Sequence, residues 1–417
     1  MSQKDQKGHC SFCDSTNVIQ VEEGLWLCKD CNRRSIFSRE DWNEQLEKWL
    51  NLGKFISDHY HPIEGKEEVK LDEFVEEEPF IIDQEIKKKA LKIINIKIKD
   101  FKIRSLYFKD AEIIEERIKN ALLNQKHIIL IGPPGTGKSK LAKELCMTCC
   151  GKDGYIMSTA TSDWSTFETI GGYRLKKNET LEFSPGIFLQ CFSTKSNAYN
   201  NKWLIIDEIN RADIDKAFGS LFSALTGDNI TIPFRTASGK WITIIGKQNN
   251  EVEIKENDYI IPKEWRIIAT MNTFDKSSLY EMSYAFMRRF AFIPINCPSI
   301  IDKDLIEEYV SNCWNLELDE KINSNLAELW TKINGSRSIG PAIIEDMYKY
   351  IQATNDYVSA IIMYVFPQFE GLSDEIIVNF YKDVENLPFI VEKKNELKSF
   401  ASDFFDTHIK KFETTYI

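Results

Sequence analysis

Three short stretches of the chain bring together residue types suited to phosphate chemistry. The first, Gly132-Pro133-Pro134-Gly135-Thr136-Gly137-Lys138-Ser139, fits G-x-x-x-x-G-K-[ST] in full. Its glycines let the backbone turn tightly enough for several N–H groups to converge on phosphate oxygens, and a helix starting there adds the positive end of its dipole. Lys138 then reaches the β- and γ-phosphates of a nucleotide, and the Ser139 hydroxyl reaches Mg²⁺. The second stretch, Trp203-Leu-Ile-Ile-Asp207-Glu208, is an apolar run ending in two carboxylates. That end of a strand is where open parallel sheets bind ligands. Asp207 suits the Mg²⁺ shell, and Glu208 suits a general base that polarises water for attack on the γ-phosphate. The third stretch runs from Trp265 to Asn272, a buried strand ending in an amide able to orient that water. Taken singly, an Asn at a strand end usually just turns the chain.

A different chemistry is written at the N-terminus. Cys10-x-x-Cys13 and Cys28-x-x-Cys31 have the spacing of a Cys₄ zinc ribbon, two turns each offering a thiolate pair. So small a module lacks an adequate core, and Zn²⁺ supplies the folding energy. His9 is read as a bystander. Residues 1–35 carry five Lys/Arg against five Asp/Glu, a balance that favours protein docking over a grip on DNA. Cys146-x-x-Cys149-Cys150 falls on the helix after the glycine-rich loop and is read as core packing. His59 and His61 have no companions at ligand spacing.

The elements that must position these groups follow from composition and periodicity. The chain has 417 residues, 43% hydrophobic and 28% charged, with a formal net charge of −11. That balance excludes overall disorder and a globally cationic nucleic-acid coat, but not a local basic groove. No apolar run is long enough to span a bilayer, and the polar N-terminus has no signal-peptide core. The ten cysteines are therefore expected reduced, in the cytoplasm. Four regions are predicted: the ribbon (1–35); a helix at Ser38–Ser57 with an acidic linker, Glu64–Glu78 (36–79); an α/β nucleotide-binding domain (80–300); and helices from 301 to 417. Within the third, Asp83–Arg104 carries eight Lys/Arg against three Asp/Glu and alternates in part like a strand. That alternation is read as a strand with one solvated face, or as a surface for an acidic partner. Helices are predicted at Asp110–Gln125 and Lys140–Cys150, and strands at Lys126–Ile131, Trp203–Ile206 and Trp265–Ala269. Thr169–Gly186 reads as a β-hairpin with Lys176, Lys177 and Asn178 at its tip, and Ile230–Ile261 as a second hairpin region.

Taken together, the chain resembles the AAA+ ATPases, in the branch that contains the McrB and MoxR proteins, over roughly Leu106–Leu372. Asp207-Glu-Ile-Asn-Arg-Ala212 is similar to that branch's extended Walker B motif, and Ala269-Thr-Met-Asn-Thr273 to its sensor-1 strand. Ala285-Phe-Met-Arg-Arg-Phe290 resembles its arginine-finger segment. Ser338-Ile-Gly-Pro341 and Pro367-Gln-Phe-Glu-Gly-Leu372 resemble its lid. Phe274 and Lys276 depart from the McrB pattern. The resemblance implies a P-loop NTPase sheet flanked by helices with a helical lid. It implies Asn272 as sensor 1, Arg337 as sensor 2, and Arg288 or Arg289 as a finger reaching the nucleotide of a neighbouring copy. It further implies a homo-oligomer in the form of a hexameric ring, and hairpins facing its pore or a partner.

ATP is the expected nucleotide, since nothing in the sequence identifies a guanine reader, although McrB likeness leaves GTP open. The expected activity is hydrolysis coupled to remodelling or translocation, in a defence or restriction setting with a separate effector, because the chain carries no nuclease constellation. A MoxR-like chaperone, a nucleotide-gated scaffold and a zinc-ribbon nucleic-acid binder are the other readings.

Overall fold

The computed structural model describes residues 98, 101–176, 180–192, 201–246, 258–273 and 282–406, and the backbone of 18–22, 25–28 and 34–36. The chain divides into two compact units, Met1–Glu77 and Glu78–Ile417. In the first, β1 (Val18–Glu22), β2 (Leu25–Cys28) and β3 (Arg34–Ile36) form an antiparallel sheet in that order, and Cys28 closes β2. Cys10, Cys13 and Cys31, the predicted helix at Ser38–Ser57 and the acidic linker lie outside the described residues.

The second unit is built on five parallel strands. They are β4 (His127–Gly132), β5 (Tyr155–Thr159), β8 (Trp203–Asp207), β12 (Ile267–Asn272) and β13 (Phe290–Pro294), in the order β13-β4-β12-β8-β5. The three central strands are buried apolar runs, as parallel strands covered on both sides must be. The order places β12 between β4 and β8, with Asn272 beside Gly132 and Ala269 beside Ile206. Helices α1 (Ala111–Leu123) and α2 (Lys138–Cys150) turn one apolar stripe each toward the core, Ile114/Ile118/Leu122 and Leu141/Leu145/Cys149. Burial raises the thiols of Cys146, Cys149 and Cys150, Cys149 to about 12, as side chains that pack rather than react.

Two expectations shift. The strand containing Asn272 begins at Ile267 rather than Trp265. The Trp265 indole N–H donates to the Lys202 carbonyl at 2.8 Å, and the buried Arg266 guanidinium donates to the carbonyls of Lys263, Trp265 and Leu122, so both residues turn the chain before the ladder starts. The described residues Phe101–Arg104 are not a strand. Their amides find carboxylates instead: Ile103 N–H donates to Glu115 at 2.8 Å and Arg104 N–H to Glu144 at 2.6 Å.

Both hairpins are present. After a short helix α3 (Thr166–Thr169), β6 (Gly171–Leu175) pairs antiparallel with β7 (Leu181–Pro185). Helices α4 (Ile214–Phe218) and α5 (Phe222–Thr226) lead to β9 (Ile230–Arg235) and β10 (Trp241–Ile245), which β11 (Tyr259–Ile260) joins in parallel. The hairpins pack on each other: Phe234 meets Tyr173 and Phe183 at centroid distances of 5.6 and 5.2 Å, and Arg235 N–H donates to the Tyr173 hydroxyl at 2.8 Å.

Helix α6 (Tyr284–Met287) precedes β13. Beyond it the chain is helical: α7 (Lys303–Tyr309), α8 (Glu320–Ser336), α9 (Pro341–Thr354), α10 (Tyr357–Ala360), α11 (Asp374–Val384) and α12 (Lys394–Phe404). They enclose their own apolar cluster, in which Phe366 meets Phe369, Phe380, Phe400 and Phe405. No helix among the described residues is long and apolar enough to cross a membrane. Phe366 is 1% exposed, so Phe366→Ala is expected to cost roughly 3–5 kcal/mol in denaturant unfolding.

Candidate nucleotide site

β4 ends at Gly132, and the loop that follows reaches α2 only because Gly135 and Gly137 take positive φ values of 75° and 85°. Gly137 caps α2, so the helix N-terminus opens into the loop. Lys138 is buried beneath it, and its Nζ donates to the carbonyls of Gly132 and Pro133 at 3.0 and 2.6 Å. Its ammonium is therefore already in the cradle, held by the oxygens that phosphate oxygens would replace. Thr136 closes the loop on itself by donating to the Pro133 carbonyl at 3.0 Å.

Asp207 collects the neighbouring elements. Its Oδ1 accepts from the Ser139 hydroxyl and from the Thr270 hydroxyl, each at 2.6 Å. Thr270 in turn accepts from Glu208 N–H at 3.0 Å. Glu208 sits in the left-handed region at φ 52°, a conformation costly for a residue with a Cβ and one that the surroundings must hold. Its carboxylate accepts from Asn272 Nδ2 at 3.2 Å and pairs with Arg211 Nε at 2.6 Å. Asn210 Nδ2 donates to the Asn272 carbonyl at 3.4 Å, while the buried Asn210 Oδ1 has no protein donor. Lys138, Ser139, Asp207, Glu208 and Asn272 thus stand at one end of the sheet. The Ser139 and Asp207 oxygens form a hard donor pair that fits Mg²⁺.

The helical region closes over this loop. Gly340 N–H donates to the Pro134 carbonyl at 2.9 Å and Ala342 N–H to the Gly135 carbonyl at 3.1 Å. The approach is so close that a Cβ on Gly340 would lie 2.2 Å from the Gly135 carbonyl carbon. Beside the contact is a cavity of about 210 Å³, lined by Leu106, Tyr107, Gly135, Tyr309, Trp314 and Pro341 among others. Its aromatic walls and its place next to the phosphate loop suit a nucleobase.

The arginines stand elsewhere. Arg337 donates to the carbonyls of Gln368 and Glu370, which ties α8 to the turn before α11. Arg289 donates to the carbonyls of Ala285 and Phe222, and burial together with neighbouring Arg288 draws it below the usual guanidinium range. Arg288 is exposed. It lines a cavity of about 440 Å³ with Lys126, His127 and Arg289, at the start of β4 rather than its end.

Thr270, Arg211, Asn210 and Gly340 fall inside motifs read from the sequence, but sequence reasoning gave none of them a role of its own. Thr270 had a signal: it lies two residues before Asn272 and so shares its strand face. The other three contacts depend on the fold.

With this geometry in view, comparison with known proteins is decisive for the central segment. The sequence from 127 to 290 matches the AAA domain (dynein-related subfamily). Residues 127–290 are an AAA domain. Over 184 residues the chain is 32% identical to the EcoKMcrB subunit of a type IV methyl-directed restriction enzyme of Escherichia coli (strain K12), covering 43% of this chain and 37% of that protein. Over 193 residues it is 28% identical to component YdiS of the type II restriction enzyme BsuMI of Bacillus subtilis (strain 168), covering 39% and 55%. The chain therefore spans about a third to a half of the length of these relatives. Among solved structures, a RuvB mutant of Thermotoga maritima covers 76% of this chain and 89% of its own at 14% identity, with a TM-score of 0.37. Residues 127–290 thus match an AAA domain, and the chain is similar to McrB and to a restriction-system component over less than half of its length.

The lid contact yields a test. The methyl of Gly340→Ala overlaps the AAA domain's phosphate loop, and relieving it should weaken fluorescent-nucleotide binding about tenfold, an overpacking cost of about 1.4 kcal/mol. Unchanged affinity would mean the contact is idle.

Proposed function

We propose that the chain hydrolyses ATP in an oligomer whose copies complete one another's sites, and that this turnover drives a separate effector in a restriction-type defence system. One observation carries the reading: Arg288 is exposed beside His127, at the end of β4 remote from Gly132. Five residues of strand separate those ends by about 17 Å. A guanidinium there is too far from its own phosphate loop and well placed to serve another copy. Arg289 is already committed to two carbonyls, which favours Arg288 as the finger.

In this reading Lys138 and the loop amides hold the β- and γ-phosphates. Ser139 and Asp207 hold Mg²⁺, which when bound offsets charge on the phosphate oxygens. Glu208, released from Arg211, takes a proton from the attacking water, and Asn272 orients that water. Arg288 of the neighbour stabilises charge on the transferring phosphoryl group, an effect worth roughly 10³–10⁵ in rate. The reading extends to a hexameric ring in the cytoplasm, and the likeness to restriction-enzyme components supports nucleic acid as what the system engages. The four cysteines Cys10, Cys13, Cys28 and Cys31 are assigned Zn²⁺ by spacing, and Cys28 at the end of β2 is compatible with that assignment. The ribbon is read as a recruiting head for the effector.

Lys138→Ala copies and Arg288→Ala copies should each be inactive alone, and mixing them should restore phosphate release. No recovery on mixing would overturn shared sites. Glu208→Gln should keep nucleotide affinity and lose turnover by at least roughly 100-fold. Cys10→Ser should lower bound zinc measured by atomic emission; zinc content equal to the parent's would remove the ribbon assignment.

A further inference from the structure

The finger helix α6 is short, and an isolated helix of that length has no stability of its own. Its position must come from outside. Ser283 caps it by accepting from Phe286 N–H at 3.3 Å, and the same hydroxyl donates to Asp215 Oδ1 at 2.7 Å. Asp215 lies in α4, seven residues after Glu208 and four after Arg211, in the segment that leaves the candidate active site directly. At the other end of α6, Arg289 reaches the Phe222 carbonyl at 2.9 Å, and Lys126 Nζ donates to the Arg288 carbonyl at 2.7 Å. The helix is thus fastened at both ends. Between the fastenings, Tyr284 and Arg288 share one helix face at i and i+4. Tyr284 is 87% exposed, so this face is open to a second molecule.

We propose that the Ser283–Asp215 hydrogen bond is a strut that positions the Tyr284/Arg288 face for a second copy of this chain. Ser283 and Asp215 are positioning residues: they touch no nucleotide and act through Arg288. The strut joins the finger to the segment that carries Glu208, so the group offered to the neighbour is anchored to the copy's own hydrolytic centre. The proposal rests on the shared-site reading above and assigns which contacts aim the finger.

The test uses mixed assemblies of full-length chains. Lys138→Ala copies donate only fingers, and Arg288→Ala copies donate only pockets. Adding Asp215→Ala to the finger donor removes the strut and leaves the Ser283 cap intact; it should cut the recovered kcat roughly 10–100-fold with KM unchanged. Adding Asp215→Ala to the pocket donor should leave recovery as it was, which also shows that the variant folds. Ser283→Thr in the finger donor keeps the hydroxyl and should retain recovery, whereas Ser283→Ala should not. Equal recovery with and without Asp215→Ala in the finger donor overturns the strut alone. Equal loss from either donor assigns Asp215 a general structural role and also overturns it. Failure of the parent pair to recover overturns the shared-site reading, and the strut with it.

Discussion

A single carboxylate oxygen organises the candidate site. Asp207 Oδ1 receives hydroxyl protons from Ser139, at the head of α2, and from Thr270, on the adjacent strand. Those donors come from elements far apart in sequence, and they meet only because β12 lies between β4 and β8. Thr270 then accepts from the Glu208 amide, so the hydroxyl that steadies Asp207 also fixes the strained backbone of the next residue. Each group satisfies its neighbour. A cation held here would take oxygen ligands from Ser139 and Asp207, next to the Thr270 hydroxyl that also holds the Glu208 amide.

The central acids and the phosphate loop were readable because each occupies one contiguous stretch bordered by a buried strand. The edge strands were not. β5 is half-buried and ends in Ser158 and Thr159, and β13, although apolar from Phe290 to Pro294, follows α6 after a single turn with no polar loop to mark where it starts. Over Phe101–Arg104, the described end of the strand-like stretch, the alternation misled for a related reason. Periodicity reports which side chains want burial, but not where backbone amides find acceptors, and here Glu115 and Glu144 supply them from helices. Arg288 and Arg289 are adjacent and chemically identical in the sequence; the fold tells them apart by half-burying Arg289 against the carbonyls of Ala285 and Phe222.

The helical region is more than a cover. Its Gly340–Ala342 amides complete the phosphate loop's backbone bonding, and Arg337 stiffens the same region by gathering the carbonyls of Gln368 and Glu370. The loop's carbonyls are thereby divided between two masters: those of Gly132 and Pro133 hold Lys138, and those of Pro134 and Gly135 hold the lid. A phosphate drawing Lys138 forward disturbs peptide planes adjacent to the ones on which the lid rests.

The Phe234 contact has a mechanical meaning. Tyr173 and Phe183 come from one insertion and Phe234 from another about 50 residues later, yet their rings interlock and Arg235 bonds across the seam. A push on either projecting ribbon is therefore shared by its companion. Two ribbons, each only two or three strands wide, are thereby joined side to side and hold one another's orientation.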